Sequence, residues 1–195
     1  MGLLSNKLLE RRCGTELDDA YYHLLLLKSG LDDGYDAWLD GYLEAENPLS
    51  DIVLNLVSCG SNINETVSCL NAYCGLKPDV DERAICDRLR NFLKDAYHTG
   101  RMTRREVADA MYRIVLAHGD PGDFDFDIWG DFYYLEDCLS LAEDGIASKD
   151  VFDEAFFLFL NKGIPLAGTI WNRKPAEKKG FRHYLNRILK QLLRK

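Results

Sequence analysis

The residues best equipped for chemistry lie in one acidic stretch, between Gly119 and Asp144. It reads GDPGDFDFDIWGDFYYLEDCLSLAED, and no Lys or Arg occurs between Arg113 and Lys149. Carboxylates can ligate hard cations, transfer protons or attract a basic surface, and each use predicts a different kind of protein. The nine carboxylates of the stretch are Asp120, Asp123, Asp125, Asp127, Asp131, Glu136, Asp137, Glu143 and Asp144.

Part of this stretch follows the spacing of an EF-hand calcium loop, which needs oxygen ligands around a sharp turn. Trp129 departs from that spacing, because a carboxylate or amide is expected at its position. A helical pattern of apolar residues also competes for the same segment. Calcium binding therefore stays an alternative, and we assign no metal ligand. The matching positions are Asp125, Asp127, Gly130, Phe132 and Glu136.

Acid–base catalysis would require one carboxylate with a raised pKa beside a cleft, and nothing in the sequence indicates either. None of the four histidines pairs with another His or a Cys at helical spacing. Each glycine follows or interrupts a helical pattern, so no phosphate-binding loop between a strand and a helix is predicted. We expect a protein that is not an enzyme and carries no cofactor.

The six cysteines include no CxxC pair and no mixture with His at zinc-site spacing. Several fall on apolar helix faces, where a free Cys behaves as a small hydrophobic residue. The sequence also starts without a secretory pattern and contains no apolar run long enough to span a membrane. These features predict reduced thiols and a cytoplasmic location.

Charge is distributed unevenly along the 195 residues, whose formal net charge is −8. The last 25 residues contain nine Lys or Arg and one Glu, which leaves −16 for residues 1–170. We therefore predict an acidic helical-hairpin domain (1–170), then a linker and a basic amphipathic helix (171–195) docked on it. The basic residues of this tail are Lys178, Lys179, Arg182, Arg187, Lys190 and Arg194.

An apolar period of 3.6 residues dominates the chain and predicts an all-α fold of about nine helices in antiparallel hairpins. Helix starts are marked by hydroxyl, Asp or Asn caps, as at Asn62, Thr103 and Ser148. A first helix is predicted over Leu3–Arg12 and a last one over Ala176–Arg194. The acidic stretch is predicted to form a loop and then a helix from about Asp127 to Asp144.

Two segments 45 residues apart, GRMTRREVADAMY and GIASKDVFDEAFF, share a glycine, a hydroxyl cap and paired aromatic or apolar positions. Ordinary turns between helices produce such similarity, which fits a compact bundle. A short, irregular α-solenoid of paired helices is the alternative.

For function, the sequence favours a non-enzymatic binding module whose acidic, aromatic surface engages a basic protein, possibly a nucleic-acid-binding one. Rows of carboxylates imitate phosphates, so such a module would inhibit or adapt its partner. Binding of nucleic acid or of a membrane surface through the basic tail is an alternative. The residues predicted to contact the partner are Asp123, Phe124, Asp125, Asp127, Trp129, Asp131, Tyr133 and Tyr134.

Overall fold

The protein is all-helical, as predicted, and its computed structural model describes residues 16–45, 48–76, 78–119 and 129–166. These residues form eight helices and no strand. The helices predicted over Leu3–Arg12 and Ala176–Arg194 lie outside the described residues. The eight helices are α1 (Glu16–Lys28), α2 (Tyr35–Ala45), α3 (Asp51–Cys59), α4 (Ile63–Cys74), α5 (Glu82–His98), α6 (Arg104–His118), α7 (Gly130–Glu143) and α8 (Lys149–Lys162).

At three helices, the capping residues identified in the sequence form the N-cap in the structure. Asn62 accepts a hydrogen bond from the backbone of Glu65 at the start of α4. Thr103 and Glu106 form a reciprocal capping box at the start of α6, and Ser148 caps α8. Each cap satisfies backbone N–H groups that have no partner inside the helix.

Three helices begin later than predicted. The helix expected to start near Pro48 begins at Asp51, and the one expected from Asp79 begins at Glu82. The helix of the acidic stretch begins at Gly130 instead of about Asp127. Helix starts are poorly determined by apolar period alone, because the first turn makes few internal hydrogen bonds.

The chain divides into two compact units, unit 1 (Met1–Phe92) and unit 2 (Leu93–Lys195). In unit 1, α1 packs against α4, and the neighbouring pairs α2–α3 and α3–α4 also pack. Helix α1 is buried over most of its length, and Leu24, Leu25 and Leu26 are at most 2% exposed. Burial of a leucine side chain stabilises the fold by about 1.5–3 kcal/mol.

Arg88 is the cation that ties α5 to α1 within unit 1. Its guanidinium bonds the carboxylate of Asp19 at 2.5 Å and lies 3.9 Å from the centre of the Tyr22 ring. The hydroxyl of Tyr22 in turn donates a hydrogen bond to Asp33 at 2.5 Å. A second link joins α1 to the residue that precedes α5, because Asp18 accepts a hydrogen bond from the backbone N–H of Asp81.

A buried histidine, His23, lies between α1 and α2. It is 2% exposed and contacts the rings of Tyr22, Tyr35 and Trp38. Its Nδ1 atom has no hydrogen-bond partner among the described residues. The pKa of His23 is lowered from 6.5 to about 4, mainly because burial disfavours the charged imidazolium; the nearby Arg88 contributes to this lowering and Asp32 opposes it. The imidazole is therefore neutral in the folded protein at neutral pH.

In unit 2, α6 packs most closely on α7, and α7 also packs on α8. Arg105, near the start of α6, pairs with Glu136 on α7. His118, at the end of α6, stacks on Trp129, which directly precedes α7. The pair is therefore an antiparallel hairpin. Its core contains Val107, Met111, Ile114, Phe132, Leu135 and Leu139.

All five cysteines among the described residues are free thiols. Cys74, Cys86 and Cys138 are buried in the helical core. Burial raises the pKa of the Cys74 thiol to about 11 and that of Cys138 to about 12. Both thiols are therefore protonated and unreactive at neutral pH.

Removal of the N-cap of α6 tests whether the capping residue stabilises the start of that helix. Thr103→Ala is expected to lower the opening free energy of α6 by about 1 kcal/mol, because the backbone N–H of Glu106 loses the hydroxyl that accepts its hydrogen bond. Hydrogen–deuterium exchange of the α6 amides measures this change. Thr103→Ser keeps the hydroxyl and should exchange like the wild type. Equal protection in the Ala variant would contradict the capping role.

Acidification tests the burial of His23. Because its folded pKa lies below the unfolded value of 6.5, the unfolded chain binds more protons between these values. With respect to His23, the free energy of unfolding therefore has its full value above pH 6.5 and decreases as the pH drops toward 4. Between about pH 7.5 and about pH 5, the wild type should lose about 2 kcal/mol more than His23→Gln in urea denaturation. Parallel losses in the two proteins would show that His23 does not titrate in this way.

Candidate functional site: the tyrosine face of unit 2

The α6–α7 hairpin brings three tyrosines and a carboxylate to one face, here called the tyrosine face (Tyr112, Tyr133, Tyr134 and Asp137). The ring of Tyr112 on α6 lies 5.4 Å from that of Tyr133 on α7. Tyr133 and Tyr134 meet edge to face at 5.1 Å. All three tyrosines are half-buried and Asp137 is exposed. Burial raises the pKa of Tyr133, and the neighbouring Tyr112 and Asp137 raise it further.

Four of the predicted contact residues, Asp123, Phe124, Asp125 and Asp127, lie outside the described residues. The six basic residues predicted for the tail, between 178 and 194, lie outside them as well. The structure places the other four predicted residues in or beside α7, and these four do not share one environment.

Trp129 is not an exposed anchor, which corrects the sequence-based prediction for this residue. It is 1% exposed. Its ring stacks on His118 at 4.2 Å and packs edge-on against Phe132 at 6.0 Å. A large aromatic side chain next to a helical apolar stripe gains more from burial than a surface position allows. Trp129 therefore belongs to the core of unit 2.

Asp131 has a structural role in the described part of the chain. It is half-buried, and its Oδ1 accepts a hydrogen bond from the backbone N–H of Leu166 at 3.0 Å. This bond fixes the segment that follows α8 against the start of α7. Of the predicted residues that the structure describes, Tyr133 and Tyr134 are the ones whose side chains form the tyrosine face.

Arg105 is a residue that the sequence analysis missed. It lies on α6, outside the stretch without basic residues, and its guanidinium bonds Glu136 at 2.9 Å, Ser140 at 3.1 Å and Glu143. These contacts neutralise two carboxylates of the acidic stretch from inside unit 2. Only the pairing of the two helices reveals them, because residues 31 to 38 positions apart come together.

The described half of the calcium-loop spacing does not form a loop. Gly130, Phe132 and Glu136 all belong to α7, whereas a calcium loop wraps these positions around the ion. Glu136, which would be the last ligand, pairs with Arg105 instead. Among the described residues, no group of three or more His, Cys, Asp or Glu is arranged to hold a metal ion.

Unit 1 contains a longer stretch without basic residues, which the sequence analysis also missed. No Lys or Arg occurs between Lys28 and Lys77, a span of 48 residues with eight carboxylates. A count of basic residues along the whole chain would have found it. The stretch forms α2, α3 and α4, and the exposed Asp36, Asp40 and Glu44 lie in a row along α2. No described residue forms an ion pair with these three.

Comparison with known proteins gives no assignment: no protein-family model, curated protein or solved structure matches this chain. In the part of the chain that the structure describes, no helix is both long enough and apolar enough to cross a membrane. Function is therefore inferred from the residues and contacts of the chain itself.

The role of Arg105 can be tested against a matched arginine on the same helix. Arg105→Met should lower the opening free energy of unit 2 by about 0.5–1 kcal/mol, because two partly exposed ion pairs are lost. The loss should shrink at about 1 M NaCl, where such pairs are screened.

Arg113→Met is the control, since Arg113 is exposed and forms no ion pair with a described residue. It removes the same charge from the same helix. Similar effects of the two substitutions, measured by hydrogen–deuterium exchange of α7, would mean that the contacts of Arg105 do not stabilise the hairpin.

Proposed function

We propose that this chain is a non-enzymatic binding module that engages a basic protein surface through the tyrosine face of unit 2. The observation that carries this proposal is the position of Tyr112, Tyr133 and Tyr134, which stay half-exposed beside Asp137. Tyrosine provides a large, rigid contact area with a polar tip, and it is enriched where proteins bind each other.

The surrounding charge supports a basic partner over an acidic or neutral one. Arg105 compensates Glu136 and Glu143, while Asp137 and Asp144 are exposed and have no ion pair with a described residue. The first 170 residues carry a net charge of −16. Such a field attracts a basic protein at long range and speeds its association.

The natural class of partner is a protein whose own ligand is an anionic polymer, such as a nucleic-acid-binding protein. A carboxylate-rich surface then competes with phosphates for the same basic residues, so binding would inhibit or adapt that protein. The free, buried thiols of Cys74, Cys86 and Cys138 favour a reducing compartment such as the cytoplasm for this encounter.

Site-specific photo-crosslinking tests the proposal. We would place p-benzoylphenylalanine at Tyr134 and, as a matched control, at Phe157, an exposed aromatic of α8 that is 53% accessible. In lysate of the source cell, crosslinks from Tyr134 should capture a basic protein at about 50 mM NaCl and lose most of it at about 300 mM. Phe157 should not capture that protein.

A charge variant adds a second criterion. Asp137→Asn should reduce the crosslink from Tyr134 several-fold, because it removes the exposed carboxylate beside the tyrosines. Asp150→Asn removes an exposed carboxylate from α8 and should leave the yield unchanged. Equal crosslinking from Tyr134 and Phe157, or capture that is insensitive to salt and to Asp137, would overturn the proposed function.

A further inference from the structure

Unit 1 contains an open cleft of about 350 Å³ between the first turn of α1 and the α3–α4 hairpin. Ile52 and Tyr73 supply apolar and aromatic walls, and Asn55 adds an amide. Two carboxylates, Glu16 and Asp51, also line it. This cleft belongs to unit 1 alone and does not depend on the tyrosine face of unit 2.

The acidic lining of the cleft favours a cationic ligand. No Lys or Arg is among the described residues that line it, and neither Glu16 nor Asp51 forms an ion pair with a described residue. Both carboxylates stand in the first turns of their helices, and each helix start contributes about half a positive charge. The two helix starts weaken the field of these carboxylates without removing their charge, so the described lining of the cleft stays acidic.

A hydroxyl oriented toward Glu16 gives the cleft a further polar group. Ser50 occupies the N-cap position of α3, but its side chain does not cap that helix. Its Oγ instead lies 3.5 Å from Glu16 Oε1. An N-cap hydrogen bond is worth about 1 kcal/mol, and α3 forgoes this bond where its start borders the cleft.

We propose that this cleft binds a single arginine side chain presented by a protein partner. A guanidinium carries one positive charge and five N–H donors, which match the carboxylates of Glu16 and Asp51 and the amide oxygen of Asn55. The apolar stem of the arginine would lie along Ile52 and the ring of Tyr73, as long cationic side chains commonly do. A divalent metal fits less well, because two carboxylates beside partly apolar walls supply few of the oxygen ligands that such an ion needs.

The test compares two small ligands that differ in charge and hardly in shape. Nα-acetylarginine amide and Nα-acetylcitrulline amide are titrated into the full chain while NMR follows the methyl groups of Ile52 and Ile114. We expect the arginine compound to shift the Ile52 signal with a Kd of about 1–10 mM, and the neutral citrulline compound to bind at least about fivefold more weakly. The Ile114 signal reports on the core of unit 2 and should not move.

Matched variants localise the charge effect. The double variant Glu16→Gln, Asp51→Asn should weaken arginine binding at least about fivefold. The control double variant Asp36→Asn, Asp40→Asn removes the same charge from α2 and should change the affinity for arginine less than twofold. The proposal fails if citrulline binds as well as arginine, if both double variants weaken binding equally, or if Ile52 does not respond. It also fails if removal of residues 171–195 is needed before arginine binds, because the tail of the chain would then be the occupant. Each of these outcomes leaves crosslinking from Tyr134 unaffected, so it can be separated from failure of the proposed function.

Discussion

Arginines that compensate carboxylates on a neighbouring helix limit the charge repulsion that this acidic chain must tolerate when its helices pack. In unit 1, Arg88 of α5 bonds Asp19 and covers the ring of Tyr22 on α1. In unit 2, Arg105 of α6 bonds Glu136 and Glu143 of α7. The chain has 32 acidic against 24 basic residues, and nine of those 24 lie in its last 25 positions. Few cations are thus left for the helical body, so each compensating arginine matters to the packing of the helix that it contacts.

In both of our proposals, carboxylates that these arginines do not reach select the partner. Asp137 beside the tyrosine face, and Glu16 with Asp51 in the cleft of unit 1, have no described cation next to them. Partners of like charge are repelled by such sites, and basic partners are attracted. Each of the two sites also contains partly exposed tyrosine. The carboxylates would attract a basic partner at long range, and the tyrosine rings would supply contact area once it is bound.

The fold was largely predictable from the sequence because its signals are local. Hydroxyl and amide caps such as Asn62, Thr103 and Ser148 act within one helical turn, and the apolar period marks the buried face of each helix. The site was less predictable because its chemistry depends on contacts between helices. Trp129 was predicted to contact a partner, but it is buried, and His118 stacks on it from the end of α6. Arg105 lies outside the acidic stretch that it neutralises, so inspection of that stretch alone could not reveal it.

The most direct test of the central claim is the salt dependence of association between this chain and the protein crosslinked from Tyr134. Stopped-flow measurement of the association rate constant at several salt concentrations isolates electrostatic attraction from short-range contact. We predict a fall of at least about tenfold between about 50 mM and about 300 mM NaCl, with a much smaller change in the dissociation rate. An association rate constant that is independent of salt would contradict recognition of a basic surface by the tyrosine face.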